Sequence, residues 1–206
     1  MTEAISTRAS TQASAANAPS PRGSLAFSHV GFFVTNLPVM ERFYTHGMDF
    51  TVTDRGELDT AHGRLQFVFL SRDPNEHHQI VLATGRPPDL AFNAINQISL
   101  RADSLQTLRN YHDRALAYGA SNMVPVTHGN AVSIYFFDPE GNRIELFIDT
   151  PWYVDQPMRV PVDLKQPDDV LWPWLEQHAR ALPGFVSRDV WRDDLARRMA
   201  VTVNQA

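Results

Sequence analysis

Ser28-His29-Val30-Gly31-Phe32-Phe33-Val34, followed by Leu37 and a short amphipathic run, has a counterpart in Asn96-Gln97-Ile98-Ser99-Leu100-Arg101-Ala102, followed by Leu105. His29 to Gln97 and Leu37 to Leu105 are both steps of 68 positions, so the chain carries an internal repeat. Each copy runs on into strand-like segments, and its last strand follows an Asp-Pro turn: Asp73-Pro74-Asn75-Glu76 before residues 79–83, and Asp138-Pro139-Glu140-Gly141 before residues 144–148. A duplicated unit that sets polar ligand types on facing strands points to a metal cup between two halves, because a divalent ion needs several donors converging from different elements.

Apolar spacing predicts, in the first unit, a strand over 25–34, a helix over 37–45, a short strand over 50–53, a polar loop over 54–64, and strands over 65–70 and 78–83. Gly85-Arg86-Pro87-Pro88 then breaks the chain. The second unit reads as a strand over 95–102, a helix over 104–118 with Asp103 or Ser104 as N-cap and Gly119 as stop, and strands over 123–126, 132–137 and 143–148. Both units are therefore βαβββ. One such unit leaves its sheet face bare, whereas two packed edge to edge curl into a half-barrel with a common concave face. The expected fold class is α+β: two βαβββ modules, 24–84 and 91–150, forming an open half-barrel around a shared metal cup within a domain spanning 24–150.

Residues 1–23, rich in Ala, Ser and Thr and without periodicity, read as a disordered leader. Beyond residue 150, Pro151, Pro157, Pro161 and Pro167 space out an extended segment, with helical stretches near 168–182 and 187–199, so 151–206 reads as a Pro-rich and helical C-terminal extension. Trp152, Tyr153, Trp172 and Trp174 in it require burial, over the pocket mouth, on the outer sheet surface or against a partner subunit.

Composition bounds the function. The 206 residues are 43% hydrophobic and 20% charged, enough for one core and an extension. The absence of cysteine removes disulfides, thiolate metal sites and cysteine nucleophiles together. A net charge of −5 with no basic stripe gives no footprint for nucleic acid. No apolar run approaches the roughly 20 residues that span a bilayer, and the N-terminus lacks the apolar core of a secretory signal, so neither a membrane nor export is expected and the expected location is cytoplasmic.

Glu145 stands out in Asn142-Arg143-Ile144-Glu145-Leu146-Phe147-Ile148, where an apolar strand would ordinarily exclude a carboxylate. Either an arginine such as Arg101 or Arg143 pairs with it, or it binds a metal. His29, at the head of the first strand, gains weight from the repeat, which puts Gln97 at the same place in unit two. His77-His78 follows the first Asp-Pro turn. If the two turns are superposed, Glu145 corresponds to Ile80, and alternation sets His78, Ile80 and Leu82 on one face. If the 68-residue step is kept, His77 corresponds to Glu145 instead. Phe32, Phe33, Phe67, Phe69, Phe136 and Phe147 are mainly core by alternation, and any that face the cup suit it to an aromatic ligand.

The stretch from Tyr135 to Leu146, together with His77-His78 and Thr127-His128-Gly129, makes residues 25–150 resemble the vicinal oxygen chelate superfamily of glyoxalases, antibiotic-resistance binding proteins and type I extradiol dioxygenases. The resemblance is greatest to a small single-domain extradiol ring-cleavage dioxygenase. It implies a metal at His29, Gln97 and Glu145, with His78 as acid/base and His128 and Tyr135 flanking the oxygen and substrate. The implied activity is cleavage of a catechol-like or hydroquinone-like ring with O₂ on Fe(II), or on Mn(II). Gln97 departs from the pattern, since these dioxygenases have His there. That departure favours the alternative of a glyoxalase-like lyase or isomerase using Zn(II) or Ni(II), while a metal-free binder of aromatic compounds is the third reading. The partners implied are a small aromatic substrate, O₂ and a second copy of the chain in a homo-oligomer.

Overall fold

The computed structural model describes residues 26–61, 63–90 and 92–203. The expected leader over 1–23 lies outside the described residues. In the first module β1 (Val30–Val34) leads to α1 (Leu37–Arg42), which continues as a π-helical turn over Phe43–Gly47. β2 (Thr51–Thr60), β3 (Gly63–Ser71) and β4 (Ile80–Thr84) complete it. The second module repeats the order with β5 (Ile98–Arg101), α2 (Leu105–Ala117), β6 (Ser121–Thr127), β7 (Ala131–Phe137) and β8 (Arg143–Asp149). The sheets run β1-β4-β3-β2 and β5-β8-β7-β6, with β1 parallel to β4 and β5 parallel to β8. Neither closes into a barrel, and the α+β arrangement of two βαβββ modules is as the repeat implies.

The helices start where local chemistry satisfies their free N–H groups. The Asn36 side chain accepts from Val39 N, and Ser104 Oγ accepts from Thr107 N. Gly119, at φ +102, carries the chain out of α2 through a conformation that disfavours other residues.

The polar loop expected over 54–64 is instead most of a long hairpin. β2 pairs with β3 from Thr51↔Ser71 to Thr60↔Gly63. β2 and the first residues of β3 are largely exposed on both faces, so no apolar alternation marks them, while β3 further on buries Leu65, Val68 and Leu70. The hairpin is held by the ladder and by contacts such as Arg64 to Glu57 and Gln66 to Glu57.

The modules meet through their helices and turns. Glu140 in the second Asp-Pro turn accepts from Thr35 N at 2.8 Å and Asn36 N at 2.6 Å. Tyr44 donates its O–H to Asp138, and Tyr111 on α2 donates to Asp49. Burial pushes the Asp138 carboxyl above its ordinary value, against four N–H and O–H groups that favour its charged form.

After Thr150 the chain forms β9 (Trp152–Tyr153), β10 (Val160–Pro161), α3 (Asp168–Arg180), β11 (Val186–Ser187) and α4 (Arg188–Val203). β10 joins the second sheet beside β6, while β11 pairs with β9. Trp152 is buried and meets Trp172 edge to face at 6.3 Å. Tyr153 stacks on Trp191, whereas Trp174 remains 40% exposed and stacks on His178. The extension thus both packs on the core and borders the site described next. No described helix is long and apolar enough to cross a membrane.

Candidate functional site

Strand register builds the site in rows. In the second module Ser99, Glu145 and Tyr135 lie side by side across β5, β8 and β7. The row with Arg101, Phe147 and Ser133 is next on the same face. Glu145 is buried, and its charge is met by neutral donors. Gln97 Nε2 and Ser99 Oγ donate to Oε2 at 2.8 and 2.6 Å, and Ser133 Oγ donates to Oε1 at 2.8 Å. The arginine partners expected as one possibility are absent: Arg101 pairs with Asp149, and Arg143 lies against the Tyr135 ring at 4.3 Å. The serines were missed in the sequence, although Ser99 sits two positions after Gln97 and hence on the same strand face.

His128 closes one side of this carboxylate. Its Nδ1 is 2.7 Å from the Met158 carbonyl, which accepts only if Nδ1 carries a proton. In the neutral ring Nε2 is then an acceptor, and it lies 3.0 Å from the Tyr135 hydroxyl and 3.8 Å from Glu145 Oε1. Burial and the adjacent Glu145 carboxylate push the Tyr135 phenol up to about 12, so it holds its proton throughout the neutral range. Met158 and Arg159 come from the Pro-spaced extension, where nothing in the sequence marks them as site residues.

The first module supplies a second group. Gly31, Val81 and Phe69 form one row, and Phe33, Ala83 and Phe67 the next. Phe33 is 51% exposed and Phe67 stacks with Phe69, so these aromatics line an open face; Phe136 by contrast is core. His29 and His78 have ring centroids 4.3 Å apart, and His78 also meets Phe69 edge to face. Both ways of aligning the repeat need correction. Val30 pairs with Ile80 as Ile98 pairs with Ile144, so the counterpart of Glu145 is Val81, neither Ile80 nor His77. Ile80 and Leu82 are core residues on the opposite face. His78 reaches the open face because it precedes β4 in an irregular segment, where alternation does not apply.

Desolvation, then the neighbouring His29 and His77, lower the His78 pKa below the ordinary 6.5, so its ring is a free base at neutral pH. His77 Nδ1 is 2.8 Å from His78 Nδ1, and its Nε2 faces Asp54 at 3.9 Å. His46 stacks on Tyr118 and His112 bonds Asp113, both away from these groups; His62 lies outside the described residues.

Gln97 and Glu145 are in contact, while His29 stands with His78, and no described hydrogen bond, ion pair or ring contact joins the two groups. No cluster of three His, Cys, Asp or Glu suited to a metal occurs among the described residues. Imidazole, carboxamide and carboxylate nonetheless form a donor set that suits a divalent cation. Gln97 turns its NH₂ to Glu145. Reversing that amide would set two oxygens face to face, an arrangement that a cation between them stabilises. The residues fit a metal in that sense. A cavity of about 860 Å³ lined by Val30, Phe50, Arg72, Gln97, Ser99 and Tyr111 reaches this end of β5 from between the modules.

Comparison with known proteins agrees with this architecture. A curated relative, biphenyl-2,3-diol 1,2-dioxygenase 2 of Rhodococcus globerulus, is 28% identical over 127 residues, covering 60% of this chain; the chain spans 62% of that relative's length. A glyoxylase/bleomycin resistance protein/dioxygenase domain from Frankia sp. EAN1pec superposes with a TM-score of 0.52 at 24% identity, covering 62% of this chain and all (100%) of that one. The fosfomycin resistance protein FosX of Mesorhizobium loti is also similar, with a TM-score of 0.46 and 24% identity over 59% of this chain and 89% of its own. Residues 26–146, which contain both modules up to the middle of β8, match the profile of the Glyoxalase/Bleomycin resistance protein/Dioxygenase superfamily, and the chain belongs to that superfamily.

Proposed function

We propose that this protein is a metal-dependent extradiol-type dioxygenase that cleaves a catechol-like or hydroquinone-like ring with O₂. The observation that supports it best is that each proposed ligand group is flanked by a proton carrier that is not itself a ligand. His78 stands against His29, and the His128–Tyr135 pair stands against Glu145. Ring cleavage needs proton removal from a substrate hydroxyl and later proton return, work for groups of this kind. The 28% identity to a biphenyl-diol dioxygenase points the same way.

His29, Gln97 and Glu145 would hold the metal, Fe(II) first and Mn(II) second. When bound, it supplies electron transfer between substrate and O₂. The chain's own residues do the rest. Neutral His78 accepts a substrate hydroxyl proton and returns it later. Tyr135, still protonated, donates a hydrogen bond to a developing oxyanion, while Met158 keeps His128 oriented so that its Nε2 stays an acceptor. Phe33, Phe67 and Phe69 offer apolar surface to the ring. The reading includes a cytoplasmic homo-oligomer, in which a second copy can bring His29 toward Glu145.

The Gln97–Glu145 contact favours a second reading, a glyoxalase-like lyase or isomerase on Zn(II) or Ni(II), since a carboxamide suits a redox-inert ion better than it suits iron. Metal analysis of anaerobically purified protein, followed by oxygen uptake with catechols and hydroquinones, separates the two. Stoichiometric iron or manganese with substrate-dependent uptake is expected. Zinc or nickel without uptake would shift the function to the second reading, and no metal after reconstitution would leave a binding protein.

A further inference from the structure

Most arginines of this protein are paired with carboxylates: Arg55 with Glu41, Arg86 with Glu140, Arg109 with Asp168, and Arg101 and Arg188 both with Asp149. Arg143 and Arg159 are different. Both guanidinium groups lie against the Tyr135 ring, at 4.3 and 5.1 Å from its centroid, and neither makes an ion pair or hydrogen bond among the described residues. The nearest acid on the same strand face, Glu145, is already engaged by Gln97, Ser99 and Ser133. Attraction to the ring face accounts for roughly 0.5–1 kcal/mol per exposed cation. It leaves both positive charges without a carboxylate partner among the described residues. An anion bound beside the ring would supply one.

The two arginines also come from separate elements. Arg143 opens β8, two residues before Glu145, and Arg159 immediately precedes β10, the strand that docks the extension beside β6. The extension therefore carries a positive charge to the edge of the site, beside the groups proposed to act on substrate.

We propose that Arg143 and Arg159 form an anion subsite next to Tyr135, and that the aromatic substrate carries a carboxylate bound there. A guanidinium presents a planar fork of N–H donors that matches a carboxylate with two parallel bonds, an interaction both directional and charge-assisted. The proposal rests on the ring-cleavage reading for its aromatic substrate, but the subsite is defined by the arginines alone.

The test is calorimetric binding under argon of 3,4-dihydroxybenzoate and 2,5-dihydroxybenzoate, each beside its uncharged amide, to the protein and its Arg159→Gln and Arg143→Gln variants. At least one acid is expected to bind about tenfold more tightly than its amide, with that advantage reduced to about threefold or less in Arg159→Gln while the amide's affinity stays the same. Arg159 is exposed, so this variant retains the fold. Equal affinities for acid and amide, no binding of either, or an acid preference that survives both substitutions overturns the subsite. Oxygen uptake with the same compounds keeps the two ideas apart. An arginine-dependent acid preference without uptake supports the subsite and removes the dioxygenase, whereas uptake with only uncharged diols does the reverse.

Discussion

At the scale of single residues, the site is arranged so that proton position is settled before a substrate arrives. The Met158 carbonyl assigns the proton of His128 to Nδ1, and Tyr135 keeps its own because burial and Glu145 raise its pKa to about 12. His78 is tuned in the other direction. Its lowered pKa comes from desolvation first and then from His29 and His77, with Glu76 opposing. A base must be unprotonated to act, so activity that depends on His78 is lost as pH falls through a pKa lying below 6.5. Replacing His77 by Gln removes one of the neighbours that lower it. The acid limb of kcat/KM should then move up toward 6.5, leaving the variant weaker than the wild type near pH 6 and similar to it at pH 8. An unmoved limb would show that His78 is not the group being titrated.

Among the elements, the strap from β9 to β10 is the one that ties fold to site, and it packs tightly on a glycine beside His128. Gly129 has φ +73, and a Cβ placed on it would come within 2.3 Å of Val154 Cγ2. Its neighbour His128 is held to the strap by the Met158 carbonyl and, through its own carbonyl, by Gln156 Nε2. Gly129→Ala therefore combines a left-handed backbone with overpacking, and should cost about 2–4 kcal/mol. Thermal denaturation of Gly129→Ala should show a drop of order 10 °C. Adding Val154→Ala should restore part of it, since the clash goes and the backbone strain stays; no restoration would place the whole cost in the backbone. How legible each element was depends on what it packs against. Strands with one dry face, such as β7 and β8, show in the alternation of Val132, Ile134 and Phe136 and of Ile144, Leu146 and Ile148. β2 from Asp54 on has two wet faces and left no such trace, whereas its partner β3, which buries Leu65, Val68 and Leu70, was legible as a strand over 65–70. Glu145 was legible as a carboxylate among apolar residues, and Gln97 through the repeat. The match of Glu145 to Val81 was not, because the loops before β4 and β8 differ in length and only the ladder fixes the register. Nor was the approach of Arg159 to Tyr135, which depends on where β10 docks.

At the scale of the whole molecule, one hydrophobic cluster joins the modules and the extension. Met40, Phe43 and Leu82 come from the first module, Leu108, Ile134 and Ile144 from the second, and Trp152, Val154, Leu171 and Leu175 from the chain beyond residue 150. Parts that share a core cannot lose their packing independently, so the described fold should unfold in a single transition, with near-UV and far-UV circular dichroism giving the same midpoint. Trp152 tests this most directly, being buried in that cluster at 7% exposure while belonging to the extension. Trp152→Ala should cost about 3–5 kcal/mol, a large share of the 5–15 kcal/mol typical of a whole domain, and should lower the midpoint seen by both signals together. Trp152→Phe should cost less, because it keeps most of the ring contact and removes an indole N–H that is buried without a hydrogen-bond partner among the described residues. If the near-UV signal fell first and the far-UV midpoint stayed in place, the extension would be melting away from modules that stand without it. Met158 and Arg159 would then belong to a detachable cover. A common shift would instead make them fixed parts of the wall, so that any substrate meets His128, Tyr135 and both arginines already in position.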